Sequence, residues 1–142
     1  MAIVQTMCTS FKAEVAQALH NFTAGTGDVF KLALYVATAN LEAGTTVYTS
    51  TGEASGTNYT AGGIALTNIT PLSSGFPGYW SFDDATFSNV TLTCAGALIY
   101  NSTNGNRAVC ALNFGQTITK TASNLVVTFP PMGATDSILR IS

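Results

Sequence analysis

The stretch Thr86-Phe-Ser-Asn-Val-Thr-Leu-Thr-Cys-Ala-Gly-Ala-Leu-Ile-Tyr100 decides the fold, together with Arg107-Ala-Val-Cys-Ala-Leu-Asn-Phe114 beyond it. The first arm alternates through Leu92, Cys94, Leu98 and Tyr100, the two-residue period of a strand with one buried face. The second returns with Ala108, Cys110, Leu112 and Phe114 on one face. Between them Asn101 to Asn106 is polar and holds Asn104-Gly105, a strong turn signal between two alternating runs. The pair reads as an antiparallel hairpin whose even-numbered residues supply core. Its other face is rich in Thr, which favours strands and offers a hydroxyl with no charge to desolvate. That face meets solvent or another subunit.

Outward from the hairpin the same period recurs. Val29 to Val36 alternates, with Phe30, Leu32, Leu34 and Val36 on one side and Lys31 and Tyr35 on the other. Ile64 to Leu66, Tyr79 to Phe82, Asn124 to Phe129 and Ser137 to Ile141 read as further short strands. Ala37 to Gly63 is dominated by Thr, Gly, Ser and Asn and reads as a long loop with a short extended piece at Thr45 to Tyr48. One helix is expected, over Phe11 to Phe22 (about 10–23), because Phe11, Val15, Leu19 and Phe22 share a helical face. Thr9 or Ser10 would cap it, Glu14 would suit the positive end of its dipole, and Gly25 or Gly27 would end it. Seven to nine short strands with frequent turns make the fold mainly β. The expectation is one domain over 1–142, an antiparallel β-sandwich or jelly-roll-like domain over about 28–142 preceded by one amphipathic α-helix.

Composition narrows function. Of 142 residues only 8% are charged, with five Lys and Arg against seven Asp and Glu, where an ordinary domain carries about 25%. Five scattered cations cannot displace the counterions of a nucleic acid, so none is expected as a partner. No run approaches the roughly 18 apolar residues of a membrane helix, so no membrane is expected either. The opening Met-Ala-Ile-Val-Gln-Thr-Met-Cys has no basic segment, and Lys12 and Glu14 interrupt an apolar run; no signal peptide is expected. The Asn-x-Ser/Thr triplets at Asn21, Asn58, Asn68, Asn89 and Asn101 are then chance products of a Thr- and Asn-rich chain. Cys8, Cys94 and Cys110 read as three reduced, apolar residues. Cys110 should lie opposite Leu98, Ile99 or Tyr100, out of disulfide reach of Cys94.

The search for chemistry finds no catalytic set, cofactor motif or metal motif. His20 is the single histidine and has no Cys-x-x-Cys partner, which speaks against zinc. Asp83-Asp84 is the one adjacent carboxylate pair and reads as a turn whose side chains bond their own backbone, with an ion site as the competing reading. Gly25-Thr-Gly27-Asp28 lacks the Lys of a phosphate loop and reads as a helix stop. Tyr48, Tyr59, Tyr79 and Trp80 form the candidate interaction surface, either as stackers for a sugar ring or as packing and subunit-contact anchors.

Several motifs in a fixed order resemble a family of tailed-bacteriophage virion structural proteins. They are Phe11-Lys-Ala-Glu14, His20-Asn-Phe22, Phe30-Lys-Leu-Ala-Leu-Tyr35, Tyr48-Thr-Ser-Thr-Gly-Glu53 and Tyr59-Thr-Ala-Gly-Gly63 in the first half. Trp80-Ser-Phe-Asp-Asp84, Thr86-Phe-Ser-Asn89, Gly96-Ala-Leu-Ile-Tyr-Asn101, Ala111-Leu-Asn-Phe-Gly115 and Val127-Thr-Phe-Pro130 follow. Phe87 stands where members often carry Trp. The resemblance implies a particle component without chemistry and with no catalytic residue to carry over. It implies a virion location, with assembly in the host bacterial cytoplasm, and self-association as a dimer or trimer. The implied partners are the major capsid protein, for a head decoration or cement protein, or tail proteins, for a collar, nozzle or receptor-binding appendage.

Overall fold

The computed structural model describes residues 2–141 and shows a mainly β chain with antiparallel sheets and one short N-terminal helix. In chain order the elements are β1 (Thr6–Met7), α1 (Thr9–Ala16), β2 (Phe30–Tyr35), β3 (Ile64–Ala65), β4 (Leu72–Ser73), β5 (Gly78–Trp80), β6 (Ala85–Asn101), β7 (Arg107–Val127) and β8 (Leu139–Ile141). One sheet runs β1-β7-β6-β2-β3 and the other β4-β5-β8. Among the described residues no helix is long and apolar enough to cross a membrane.

The β6–β7 hairpin forms, with Ile99 opposite Cys110 and Asn101 opposite Arg107, but its expected one-sided alternation fails toward the turn, where Cys94 to Asn101 and Ala108 to Leu112 are buried on both faces. It is longer than its alternation implied. β7 continues through the polar run Gln116 to Asn124, and the expected separate strand at Asn124 to Phe129 is, as far as Val127, the end of β7. The continuation is irregular: β7 advances from Asn113 to Ile118 while β6 advances only from Gly96 to Cys94. Gly115, at φ 77°, makes that bulge, and the Asn113 side chain accepts its N–H at 2.8 Å. A second irregularity lies between Lys120 and Ser123, beside Ala122 at φ 45°. Bulges of this kind bend a ribbon and increase its twist.

β2 departs from the expected one-sided alternation. Leu32, Ala33, Leu34 and Tyr35 are all fully buried, because β2 lies between β6 and β3 and is covered on both faces. Phe30 packs on one side against Phe22 and Phe82, while the Tyr35 hydroxyl donates to the Thr49 carbonyl at 2.5 Å from the long 37–63 segment.

The helix is shorter than its pattern predicted and ends at Ala16. Leu19 N–H donates to Glu14 O and Ala18 N–H to Val15 O, both at 3.1 Å, with Ala18 at φ 60°. That is a left-handed stop made on alanine instead of on Gly25 or Gly27. The N-cap is Cys8, with no side-chain cap bond, so neither Thr9 nor Ser10 caps it. Glu14 lies near the C-terminal end, not in the first turn, and the dipole reading fails. The apolar spacing misled because Phe22 reaches the core from an irregular segment. Its ring stacks on Phe30 at 4.2 Å between centroids and 6° between planes.

That stack is the centre of an aromatic cluster joining both sheets to the helix. Phe22 also contacts Phe11, Trp80 and Phe82 at centroid distances of 6.0, 5.2 and 6.1 Å. Phe82 continues to Phe129 at 5.8 Å. Replacing Phe22 by Ala should cost about 3–5 kcal/mol, as for other buried aromatic truncations. Equilibrium denaturation measures this, and a loss under about 1 kcal/mol would show that the cluster does not hold the layers together.

Candidate functional site

Two polar centres stand out from the apolar interior. The first is Glu53, whose two carboxylate oxygens receive three donors. Tyr59 Oη donates to Oε1 at 2.7 Å, Gly62 N–H to Oε1 at 2.7 Å, and Tyr48 Oη to Oε2 at 2.5 Å. Tyr59 Oη also accepts the Leu34 N–H at 2.9 Å, and Tyr100 Oη donates to Gly62 O at 2.7 Å. The Tyr48 ring stacks on Tyr100 with centroids 4.8 Å apart. Burial, reinforced by the Glu53 hydrogen bond, pushes the phenols of Tyr48 and Tyr59 far above their ordinary value. Gly63 follows at φ 78°, where a Cβ would collide with the Leu32 carbonyl. Glycine is what lets this loop lie directly on β2.

The second centre is a chain of charges around His20. Glu14 accepts from Arg107 Nη1 at 2.7 Å and pairs with His20 Nε2 at 3.0 Å. Asn101 Oδ1 accepts the N–H groups of Thr103 and Asn104, both at 3.1 Å. Its amide nitrogen therefore faces His20 Nδ1 at 3.1 Å and Asp28 Oδ2 at 2.8 Å. The network assigns Nδ1 as an acceptor and Nε2–H as a donor to Glu14. With both nitrogens engaged and its side chain 0% exposed, this imidazole has no lone pair turned toward a substrate. Burial pushes the Glu14 carboxyl up, but the hydrogen bonds from His20 and Arg107 and the Arg107 charge outweigh it and hold it below 4.5. The arrangement ties the segment after α1 to the β6–β7 turn.

The four aromatic candidates do not share one face. Tyr48 and Tyr59 meet at Glu53, whereas Tyr79 and Trp80 lie on β5 in the other sheet, 8% and 6% exposed. The Trp80 ring is in contact with Phe11 and Phe22, so it packs inward and is not a free stacking platform. Trp80, Phe22, His20 and Pro71 line a cavity of about 420 Å³ near Ile141. Asp83 and Asp84 are exposed in the β5–β6 connection, and Asp84 Oδ1 accepts the Phe129 N–H at 3.1 Å. Among the described residues no group of three or more His, Cys, Asp and Glu is placed to hold a metal ion. Cys8, Cys94 and Cys110 are buried and unpaired, and burial pushes the thiols of Cys8 and Cys94 up to about 11.

Sequence reading missed Glu53, Arg107 and Asn101 as organising residues. A usable signal existed for Glu53, the one acid between Tyr48 and Tyr59 in the Thr-rich loop. Tyr59→Phe removes a donor to Glu53 and the acceptor of the Leu34 N–H, and should lower stability by about 1–3 kcal/mol. An unchanged denaturation midpoint would show that the loop is held otherwise. Glu14, with its folded value lowered, stabilises the chain above pH 4.5 and loses that contribution as pH falls through the lowered value. Arg107→Met should therefore move acid unfolding to higher pH. Its cost at neutral pH should be about 1–3 kcal/mol, less than for a fully buried pair because Arg107 is 38% exposed. Compared with protein-family models, with curated proteins and with solved structures, the chain matches none.

Proposed function

We propose that this chain is a non-enzymatic structural protein of a tailed-phage particle, a decoration or cement protein that bridges capsid subunits and stabilises the head. The observation that carries the reading is the division between interior and surface. Glu14, Asp28, Glu53 and Arg107 are tied into internal hydrogen bonds. The exterior is mostly Thr, Ser, Asn and Gly beside six exposed charges, Lys12, Glu42, Asp83, Asp84, Asp136 and Arg140, with Val47, Leu72, Phe76 and Val126 about half to almost fully exposed. Such a surface meets a neighbour with few charges to strip of water. The 37–63 loop fits the same role, since Glu53 ties Tyr48, Tyr59 and Gly62 of the loop together, Tyr59 Oη takes the Leu34 N–H of β2, and Val47 is exposed. The resemblance of the motif order to virion structural proteins supports a particle component, with the major capsid protein as the partner of a head protein and tail proteins as those of the alternative.

Stabilisation would be collective: many copies each add a modest contact, and simultaneous engagement multiplies their effect. Purified particles should contain the chain in numbers comparable to the major capsid protein. Particles assembled without it should melt at a lower temperature. A few copies per particle, with intact heads in its absence, would replace this reading by the tail-associated one.

A further inference from the structure

We propose that Asn104 is a site of spontaneous covalent modification, deamidation through Gly105, and that the change unfastens the segment carrying Phe22. The reaction involves the β6–β7 turn alone and is independent of the particle role.

The chemistry belongs to the pair of residues. The backbone nitrogen of Gly105 attacks the side-chain carbonyl carbon, Cγ, of Asn104 and gives up its proton to water or hydroxide. The bond from Cγ to the amide nitrogen breaks, ammonia leaves, and a succinimide ring closes. Water then opens the ring, and nothing is oxidised or reduced. Breaking the new bond from nitrogen to Cγ leaves aspartate; breaking the bond to the main-chain carbonyl carbon leaves isoaspartate. Asparagine is among the chemically labile residues, and a following residue with a Cβ crowds the attack where glycine does not. The chain has ten asparagines, and Asn104 alone is followed by glycine.

The turn leaves this pair open to water. Gly105 is exposed and Asn104 half-buried, and a Cβ on Gly105 would meet no atom within 4 Å, so the ring has room. Gly105 and Asn106 both lie in the left-handed region, at φ 67° and 56°. The leaving nitrogen is the one that matters to the fold. Asn104 Nδ2 donates to the Leu19 carbonyl at 2.8 Å, and the Asn104 N–H donates to Asn101 Oδ1 at 3.1 Å.

Neither product restores that contact. Aspartate, with an ordinary value of about 3.9, is ionised at neutral pH, and a carboxylate only accepts. It would face the Leu19 oxygen, another acceptor, and leave it with the longer 3.4 Å contact from Asn101 Nδ2. Isoaspartate also adds a methylene to the main chain of the turn that sets Asn101 opposite Arg107, the cation that holds Glu14. Hydrolysis does not run back to the amide, so the turn is a one-way latch on the segment between α1 and Phe22.

Peptide mapping by mass spectrometry, on the purified chain incubated at mildly alkaline pH, tests the site. Asn104 should convert to aspartate and isoaspartate before any other asparagine. Hydrogen exchange tests the latch. In the modified chain the amides of Leu19 and Asn21, which donate to Glu14 O and Asp28 Oδ2, should exchange about tenfold faster, as for loss of one hydrogen bond. Asn104→Asp should show the same faster exchange without ageing, and Asn104→Gln should stay unmodified at that position. Earlier conversion of another asparagine would overturn the proposal. So would an intact Asn104 after several times the period that converts it in urea, or unchanged exchange at Leu19 and Asn21 in Asn104→Asp.

Discussion

The stack of Phe22 on Phe30 constrains more of this chain than any other contact. To put a ring 4.2 Å from Phe30 on β2, the chain must leave the helix at Ala16 and cross to the sheet without regular structure. The left-handed Ala18 is the toll for that exit, on the order of 1–2 kcal/mol for a residue with a Cβ. Once placed, Phe22 supports Trp80 and Phe82, and through them the small sheet and Phe129. The His20 network does not create this arrangement. It secures the segment that carries Phe22, since Asn101 and Asn104 both reach the Leu19 carbonyl.

The scarcity of charge takes on a structural meaning in the same way. Glu53 and Glu14 each fasten a segment that lacks regular hydrogen bonding of its own. A carboxylate can accept from several donors at once, and its hydrogen bonds are stronger than those between neutral groups. One acid therefore gathers the 37–63 loop on itself and fixes the Tyr59 hydroxyl that takes the Leu34 N–H of β2, and another holds the end of α1 against β7. The Tyr residues around Glu53 add apolar area that partly shields such a clamp from water.

Much of the fold was legible in residues whose pattern is local. The alternation in β6 and the Asn104-Gly105 turn placed Cys110 opposite Leu98, Ile99 or Tyr100, and it lies opposite Ile99. The full length of β7 was not legible. Gln116 to Asn124 is polar on both faces, so its membership of the sheet depends on pairing with β6 and leaves no period to read. The end of α1 was hidden for the opposite reason: Leu19 and Phe22 continue a helical period that tertiary contacts override. The aromatic candidates read as one interaction surface along the chain, and their division, Tyr48 and Tyr59 at Glu53 and Tyr79 and Trp80 on β5, depends on topology, which spacing along a chain does not encode.

The bulges in β7 have a consequence for how such a chain survives crowding. A long Thr-rich strand with little charge is the composition that stacks into cross-β fibrils when its edge lies open and flat. Gly115 and Ala122 interrupt the edge, so the regular ladder with β6 between the two bulges runs only from Ile118 to Lys120. A neighbouring strand finds no continuous template there. The surface can remain poor in charge, with irregular backbone taking over the protective work that repelling charges do elsewhere.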